Sequence, residues 1–438
     1  PQLGLMVGVV CVAAPLLALT WNRWPVIVPF SLYAALVPFD SLPIGGIGNL
    51  PRLLGAFTFA SLLFSVLLRR QALKPSRAIM LWAIAALWMT TTLAWTALLP
   101  DGETRVQQIV QLVGLGFVLS IVRVSIIELN AVVISTIIGG VAAGLFEFWL
   151  YQTGSFYTHS APGEARACIE VGSGCIDANF FAAGLLLPIM LAIIAGLRSR
   201  NLVLKGFFVM LALAAMLGVF VSGSRGAFTA LAAGLLYLLV RSRYRIQLTC
   251  VAVAGLLLSF ASPVIWARFN DPTQGEGSGR FESWQVGFAA FRGHWLIGTG
   301  IGSYRAAYEA AYLRVYETLQ FFTPSQDPHS LIVQTAVELG AIGIILVFGA
   351  WIVQMGVLRA IPKGSPLYDL RCAIEGATIA LFIMALSVDL MTFKFPWLCF
   401  YLAYLTRSAW QESPQAFAPA PVAPPPVTFA RVVRPELP

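Results

Sequence analysis

Apolar residues run in stretches of about 18–25 along nearly the whole chain, separated by short polar loops. A helix of that length crosses the hydrocarbon of a bilayer. The alternating runs of about ten residues that mark a membrane barrel are absent from the sequence. The pattern predicts spans at 53–68, 78–98, 106–122, 127–150, 179–197, 204–221, 226–240, 247–264, 329–356, 371–391 and 395–407. Two more apolar runs, 3–20 and 25–38, precede these and are interrupted by Pro15, Pro25, Pro29 and Pro38. The total is therefore 12 or 13 crossings.

Charge sets the expected orientation. Basic residues gather at Arg69, Arg70, Lys74 and Arg77, at Arg198, Arg200 and Lys205, at Arg241, Arg243 and Arg245, and at Arg359, Lys363 and Arg371. Such loops mark the cytoplasmic side, so segments 99–105, 151–178, 222–225 and 265–328 fall outside. The start of the chain lacks the basic n-region of a cleaved signal and reads as retained.

Composition narrows the class. Of the 438 residues, 58% are apolar and 11% charged, against about 25% charged in soluble chains. That excludes a soluble enzyme, a coiled coil and a disordered protein. The net charge of +8 sits mostly in the short loops, so it reflects topology and not a nucleic-acid partner. The expected organisation is all-α, with membrane helices over 1–264, a large helical loop over 265–328, further membrane helices over 329–407, and a cytoplasmic tail over 408–438. The tail, with Pro424-Pro425-Pro426, has the composition of a disordered segment.

The long loop is where function is expected. Phe281, Trp284, Phe288, Phe291 and Trp295 recur at helical spacing, and Tyr304, Tyr308, Tyr312 and Tyr316 stand four apart on one helical stripe. Two readings stay open: an aromatic belt at the membrane surface, or the wall of a sugar- or lipid-binding cavity. Gly298-Thr299-Gly300-Ile301-Gly302 has a nucleotide-loop look, but outside the membrane it reads as a turn between the two loop helices. Cys168 and Cys175 share the outside segment 151–178, where a disulfide is expected. A metal site there would need further ligands, and His159 is the only histidine near.

Two segments carry candidate chemistry. In Ser325-Gln326-Asp327-Pro328-His329-Ser330, Asp327 suits an N-cap and Pro328 the first helical position. His329 then falls in the first helical turn, where the positive helix end favours a neutral imidazole, the form a general base needs. The alternative is a plain polar residue near a helix end. In Val221-Ser222-Gly223-Ser224-Arg225-Gly226-Ala227, a tight turn lets Ser224 cap a helix whose free N–H groups, with Arg225, suit phosphate. Here the alternative is a glycine-allowed turn with a snorkelling arginine. The loop adds Arg268, Arg280, Arg292, Arg305 and Arg314. Asp177 reads as the cap of the helix from 179, Glu338 as a helix-packing group, and Asp389 as a carboxylate able to reach the same outer cavity as His329. The outside segments show no acidic cluster suited to a divalent cation and no Walker motif.

Taken in order, Asp177-Ala178-Asn179, Ser222-Gly223-Ser224-Arg225-Gly226-Ala227, Ser278-Gly279-Arg280 with Trp284, Gly298-Thr299-Gly300-Ile301-Gly302, Pro328-His329-Ser330-Leu331 and Glu338-Leu339-Gly340 resemble the O-antigen ligase family over about residues 175–345. The wider group includes Wzy-type polymerases and bacterial O-oligosaccharyltransferases. The resemblance implies a GT-C-type glycosyltransferase of the Gram-negative inner membrane, with about twelve spans and a large periplasmic loop. It implies transfer of O-antigen from an undecaprenyl-pyrophosphate-linked donor to a lipid A–core acceptor, with no cofactor, nucleotide or metal. His329 takes the base position, and Arg225 and Arg280, with Ser224, the pyrophosphate positions. Asp389, Asp177, Arg305, Tyr308 and Tyr312 are possible supporting residues. A polymerase or protein-directed transferase is the alternative, and a flippase or transporter the non-enzymatic one; the paired repeats of a transporter are not evident.

Overall fold

A computed structural model of the chain describes residues 24–40, 43–44, 48–71, 73–154, 170–171, 174–175, 177–260, 263–270, 280–319 and 327–412. Fifteen α-helices occur among the described residues: α1 (Ile27–Leu36), α2 (Leu50–Leu68), α3 (Arg77–Thr91), α4 (Leu99–Ile121), α5 (Ile126–Thr153), α6 (Ala178–Arg198), α7 (Leu202–Val221), α8 (Arg225–Arg241), α9 (Arg245–Ser259), α10 (Pro263–Asn270), α11 (Arg280–Gly293), α12 (Tyr304–Val315), α13 (Leu331–Met355), α14 (Tyr368–Ala385) and α15 (Lys394–Glu412). Two minimal antiparallel ladders accompany them, Pro43–Ile44 with Gly48–Asn49 and Glu170–Val171 with Gly174–Cys175. The expected pairing of Cys168 with Cys175 lies outside the described residues, as does the chain from 413 onward.

Apart from these ladders the described regular structure is helical, that of a polytopic membrane protein. Seven helical segments among the described residues are long and apolar enough to cross a membrane: Leu50–Leu68, Arg77–Trp95, Leu99–Ile121, Ile126–Thr153, Ala178–Arg198, Leu202–Val221 and Leu331–Ala360. That is fewer than the expected 12 or 13. Helices α8 and α9 are apolar but only 17 and 15 residues long. Helix α14 carries Asp369, Arg371 and Glu375, and α15 carries Lys394, Arg407 and Glu412. The α14 charges are buried and paired, Arg371 with Glu375 at 2.8 Å and Asp369 with Arg243 at 2.7 Å, so they turn inward to partners, as charges in membrane helices do.

Local chemistry sets several helix starts. Ser125 and Glu128 form a reciprocal capping box on α5, and Asn201 caps α7. Helix α6 is the hub: 89% of its apolar window is buried, against 28–50% in the other six spans. It packs on α5, α7 and α14. Gly140 of α5 lies against Pro188 of α6 with no room for a Cβ, so the two helices cross closely at that point.

The loop helices α11 and α12 form a second, smaller core. Val286, Ala290, Tyr304, Tyr308, Ala311 and Tyr312 pack together and onto Val333 and Val337 of α13. This answers the tyrosine stripe. Tyr308 and Tyr312 are 2% and 8% exposed, with rings 6.3 Å apart and nearly parallel. Tyr304, Tyr308 and Tyr312 face α11 and α13 and hold the loop onto α13, whereas Tyr316, just past the end of α12, is 41% exposed. Tyr308 and Tyr312, expected as possible supporting residues of the site, stand in this loop core.

Candidate active site at three helix N-termini

Asp177 caps α6 by accepting from the Asn179 backbone N–H at 2.8 Å, and its Oδ1 also accepts from the Asn179 side-chain amide at 2.8 Å. The Asn179 Oδ1 in turn accepts the Ser224 hydroxyl proton at 2.7 Å. Ser224 caps α8 through the Ala227 N–H, and the turn before it is held by Gly223 at φ 63° and by Ser222, whose Oγ accepts the Ser224 N–H. This chain of three polar side chains ties the N-termini of α6 and α8 together. Both helices thereby aim their free N–H groups at one end of the bundle. Ser224 itself is fully buried, and its hydroxyl is spent on Asn179 and Ala227. Ser224, expected at the pyrophosphate, locks the α8 start so that Arg225, half-buried at the first helical position, stands at that end.

The third N-terminus belongs to α13. Its cap is Ser330, whose Oγ accepts from Val333 N–H at 3.5 Å, and not Asp327. His329 lies just before the helix with φ 43°. An L-residue there occupies the sparsely populated left-handed region, a conformation that clusters at functional sites. The helix cannot start earlier through such a residue. Asp327 is exposed and pairs with Arg305 at 3.5 Å; with both side chains more than 60% exposed, that bond adds little. Arg305 is thus a surface partner of Asp327.

His329 is half-buried. Burial pulls its pKa below the ordinary imidazole value; Asp177 opposes this, the Arg280 guanidinium adds to it, and Asp327 opposes it. The expected neutral imidazole thus has burial as its main cause. The same interactions bring Asp177 of the α6 cap, Arg280 at the start of α11 and His329 within electrostatic reach of one another. The result is an imidazole held neutral within electrostatic reach of an arginine and of the α6 cap. Such an arrangement can accept a proton and hold an anion.

Beneath this layer lies a group the sequence did not single out. Arg105 of α4 stands 3.4 Å from Asp389 and 3.6 Å from Glu338. Asp389 also accepts from the Met391 N–H at 3.1 Å, so it braces its own turn and α4 beneath the His329 layer. Glu338 accepts from the Tyr304 N–H at 3.3 Å and from Gln334 at 3.5 Å. It therefore fastens the start of α12 to α13.

The glycine turn completes the fastening. Helix α13 is broken at Gly340, with φ 68° and ψ −167°. An unbroken helix would bond the N–H groups of Ala341 and Ile342 to the carbonyls of Val337 and Glu338. Instead Ala341 and Ile342 donate to Trp295 and Leu296 at 2.8 and 3.3 Å, while Thr299 and Gly300 donate to Val337 and Glu338, both at 2.9 Å. The Leu339 carbonyl takes the Trp88 indole N–H at 3.1 Å. Two helical bonds are opened and both halves of each are re-made with the 295–300 turn. Gly340 lies nine residues beyond the helix start, about 14 Å along its axis, so the turn inserts well below His329. Irregular backbone at such depth is tolerated only where protein satisfies it. The Gly298–Gly302 segment is thus a plug in a broken helix as well as a link between α11 and α12. Gly298, Gly300 and Gly302 all have positive φ.

Residues 209–348 match the family model described as O-antigen ligase, Wzy_C. No curated protein matches the chain. The matched segment contains Ser224, Arg225, Arg280, the glycine plug, His329 and the Glu338–Gly340 break.

Proposed function

We propose, from the O-antigen ligase segment at 209–348, that this chain is an O-antigen ligase. It transfers polysaccharide from undecaprenyl pyrophosphate to a sugar hydroxyl of lipid A–core. The observation that carries the reading is His329, half-buried with its pKa held down and with Arg280 and Asp177 in electrostatic reach, at helix ends that favour anions. His329 takes the proton from the acceptor hydroxyl. The freed oxygen attacks the anomeric carbon, the bond to the pyrophosphate oxygen breaks, and the configuration inverts. Charge growing on the departing pyrophosphate meets Arg225, Arg280 and the α6 and α8 N-termini, the kind of preorganised stabilisation that dominates many transfer reactions. Because these cations and helix ends supply the positive charge, the reaction needs no divalent ion.

The same reading has the fold as a GT-C-type arrangement with α1–α9 and α13–α15 crossing the inner membrane, twelve spans in all. The short or charged helices α1, α8, α9, α14 and α15 alternate correctly with the basic loops. The site then faces the periplasm, where a lipid pyrophosphate and lipid A–core both lie.

A deletion strain examined for lipopolysaccharide ladders tests the activity. Loss of all long chains with accumulation of lipid-linked polymer is the expected result. A core bearing a single repeat unit would mean a polymerase instead. Transfer by the purified protein is expected to survive EDTA; loss restored by magnesium or manganese would overturn the metal-free mechanism.

A further inference from the structure

The loop core takes up only part of the aromatic pattern on α11. Trp284 and Phe291 pack against that core, but Phe281, Phe288 and Trp295 are 53%, 52% and 58% exposed. Leu296 and Ile297 follow at 47% and 41%. Three large apolar side chains in a row, Trp295-Leu296-Ile297, thus stand uncovered in the turn that follows α11.

Two membrane spans fix the height of this turn. On α13, the Trp295 and Leu296 carbonyls hold the N–H groups of Ala341 and Ile342, inside the apolar span Leu331–Ala360. Ile345, one helical turn further in, is 71% exposed, so the turn stands directly above a side chain that faces lipid. On the other side, Ile301 donates its N–H to the Thr92 hydroxyl at 3.1 Å and accepts from the Thr96 hydroxyl at 2.8 Å. Both threonines lie at the end of the span Arg77–Trp95. Trp95 is 38% exposed, with its ring 5.9 Å from that of Trp88. Exposed tryptophan at the end of an apolar span marks the membrane–water interface. The turn therefore lies within about one helical turn of the bilayer boundary. Helix α11 runs antiparallel to α13, since Gly287 meets Val333 and Leu296 meets Gly340. Height thus rises from Leu296 toward the start of α11. Phe288 lies about 12 Å above Leu296, and Phe281 about 10 Å above that.

We propose that Trp295, Leu296 and Ile297 form a membrane anchor, inserted at the acyl boundary of the leaflet on the candidate-site side. The partner is phospholipid. A headgroup layer about 5–7 Å thick then reaches Arg292 and His294, exposed just above the anchor, and ends near Phe288, leaving Phe281 in water. A second copy of the chain would need about 20–30 residues a side for a stable contact. Three consecutive side chains, continuous with the lipid-facing Ile345, do not supply such a face. The anchor sets the height of α11, and so of Arg280 at its start, relative to the bilayer. It does not depend on what the chain transfers.

Nitroxide labels on the full chain, in liposomes of phosphatidylethanolamine and phosphatidylglycerol, test this. Single cysteines replace Phe281, Phe288, Leu296 and Ile297 in a Cys250→Ser background, because Cys250 is exposed and takes label itself. The background without an added cysteine is the blank. Collision of the label with oxygen, which concentrates in lipid, is compared with collision with a water-soluble nickel chelate. The oxygen-to-nickel ratio is expected to be several-fold higher at Leu296→Cys and Ile297→Cys than at Phe281→Cys, with Phe288→Cys between them. Ratios at Leu296→Cys and Ile297→Cys equal to that at Phe281→Cys overturn the proposal. Shielding of both labels from both probes also overturns it, because protein then covers the turn. Should the Leu296 and Ile297 variants fail to fold, Phe288→Cys and Phe281→Cys decide: equal ratios at those two overturn it alone.

Discussion

Replacing Gly340 by alanine tests whether the broken helix and its plug are one built unit. At φ 68° and ψ −167° the residue occupies a region open essentially to glycine alone, and holding another residue there costs about 1–3 kcal/mol. A Cβ at Gly340 would lie 2.6 Å from the Gly298 nitrogen and closer still to the Leu296 carbonyl. Both are backbone atoms of the inserted turn, so the turn must move. Overpacking of that kind costs about 1–3 kcal/mol more, and the move weakens the bonds from Thr299 and Gly300 to the Val337 and Glu338 carbonyls. The expected loss is therefore several kcal/mol, concentrated in the loop. Gly349, on the same helix with nothing within 4 Å of a built Cβ, is the control: Gly349→Ala is expected to be neutral or to stabilise by up to about 1 kcal/mol. Thermal melting of purified protein, with limited proteolysis of the 295–303 turn, reads both variants. Gly340→Ala is expected to melt lower and to be cut faster. Melting and cleavage equal to those of Gly349→Ala would refute the plug.

The remaining predictions concern the loop core and the cations. Tyr308→Phe is expected to keep near-normal transfer because the ring packs in a core, whereas Tyr308→Ala is expected to destabilise by about 3–5 kcal/mol; loss of transfer in Tyr308→Phe with unchanged melting would restore a site role. Arg225→Lys is expected to keep partial activity and Arg225→Ala almost none, since lysine keeps the charge but loses the planar fork. Arg280→Ala is expected to match Arg225→Ala, while the exposed Arg292 and Arg314 tolerate alanine. Initial rates with one donor preparation decide this, and equal mild defects in all four would mean a merely electropositive loop.

What the sequence made legible was local. The helix starts at Asp177 and Ser224 could be read because a capping side chain acts on N–H groups two or three residues away. In Asp327-Pro328-His329-Ser330 the aspartate before proline read as the cap. The structure uses Ser330 instead, because His329 leaves helical φ. The Gly340 break was hidden because the apolar run continues through it, and only non-local bonds to Trp295 and Leu296 compensate. Arg105 was invisible for the same reason: its partners Glu338 and Asp389 are more than two hundred residues away. The tyrosine spacing correctly signalled a one-sided helix, but spacing does not say whether that side meets lipid, sugar or protein. The resemblance over 175–345 overlaps the segment 209–348 that matches the O-antigen ligase family model, because it rests on short local motifs taken in order and needs no knowledge of their distant partners.

The most direct test of the account is the pH profile of transfer by purified wild type and His329→Ala, with lipid-linked donor and lipid A–core acceptor. A base must be unprotonated, and burial lowers the pKa of His329. The wild-type rate is therefore expected to fall only as pH drops through a pKa below the ordinary imidazole value, and to be level at neutral pH. His329→Ala is expected to lose about 10²–10⁴-fold, the usual worth of a general base, and to lose that acid limb while melting normally. Near-normal turnover by His329→Ala, or an unchanged acid limb in its residual rate, would contradict the central claim.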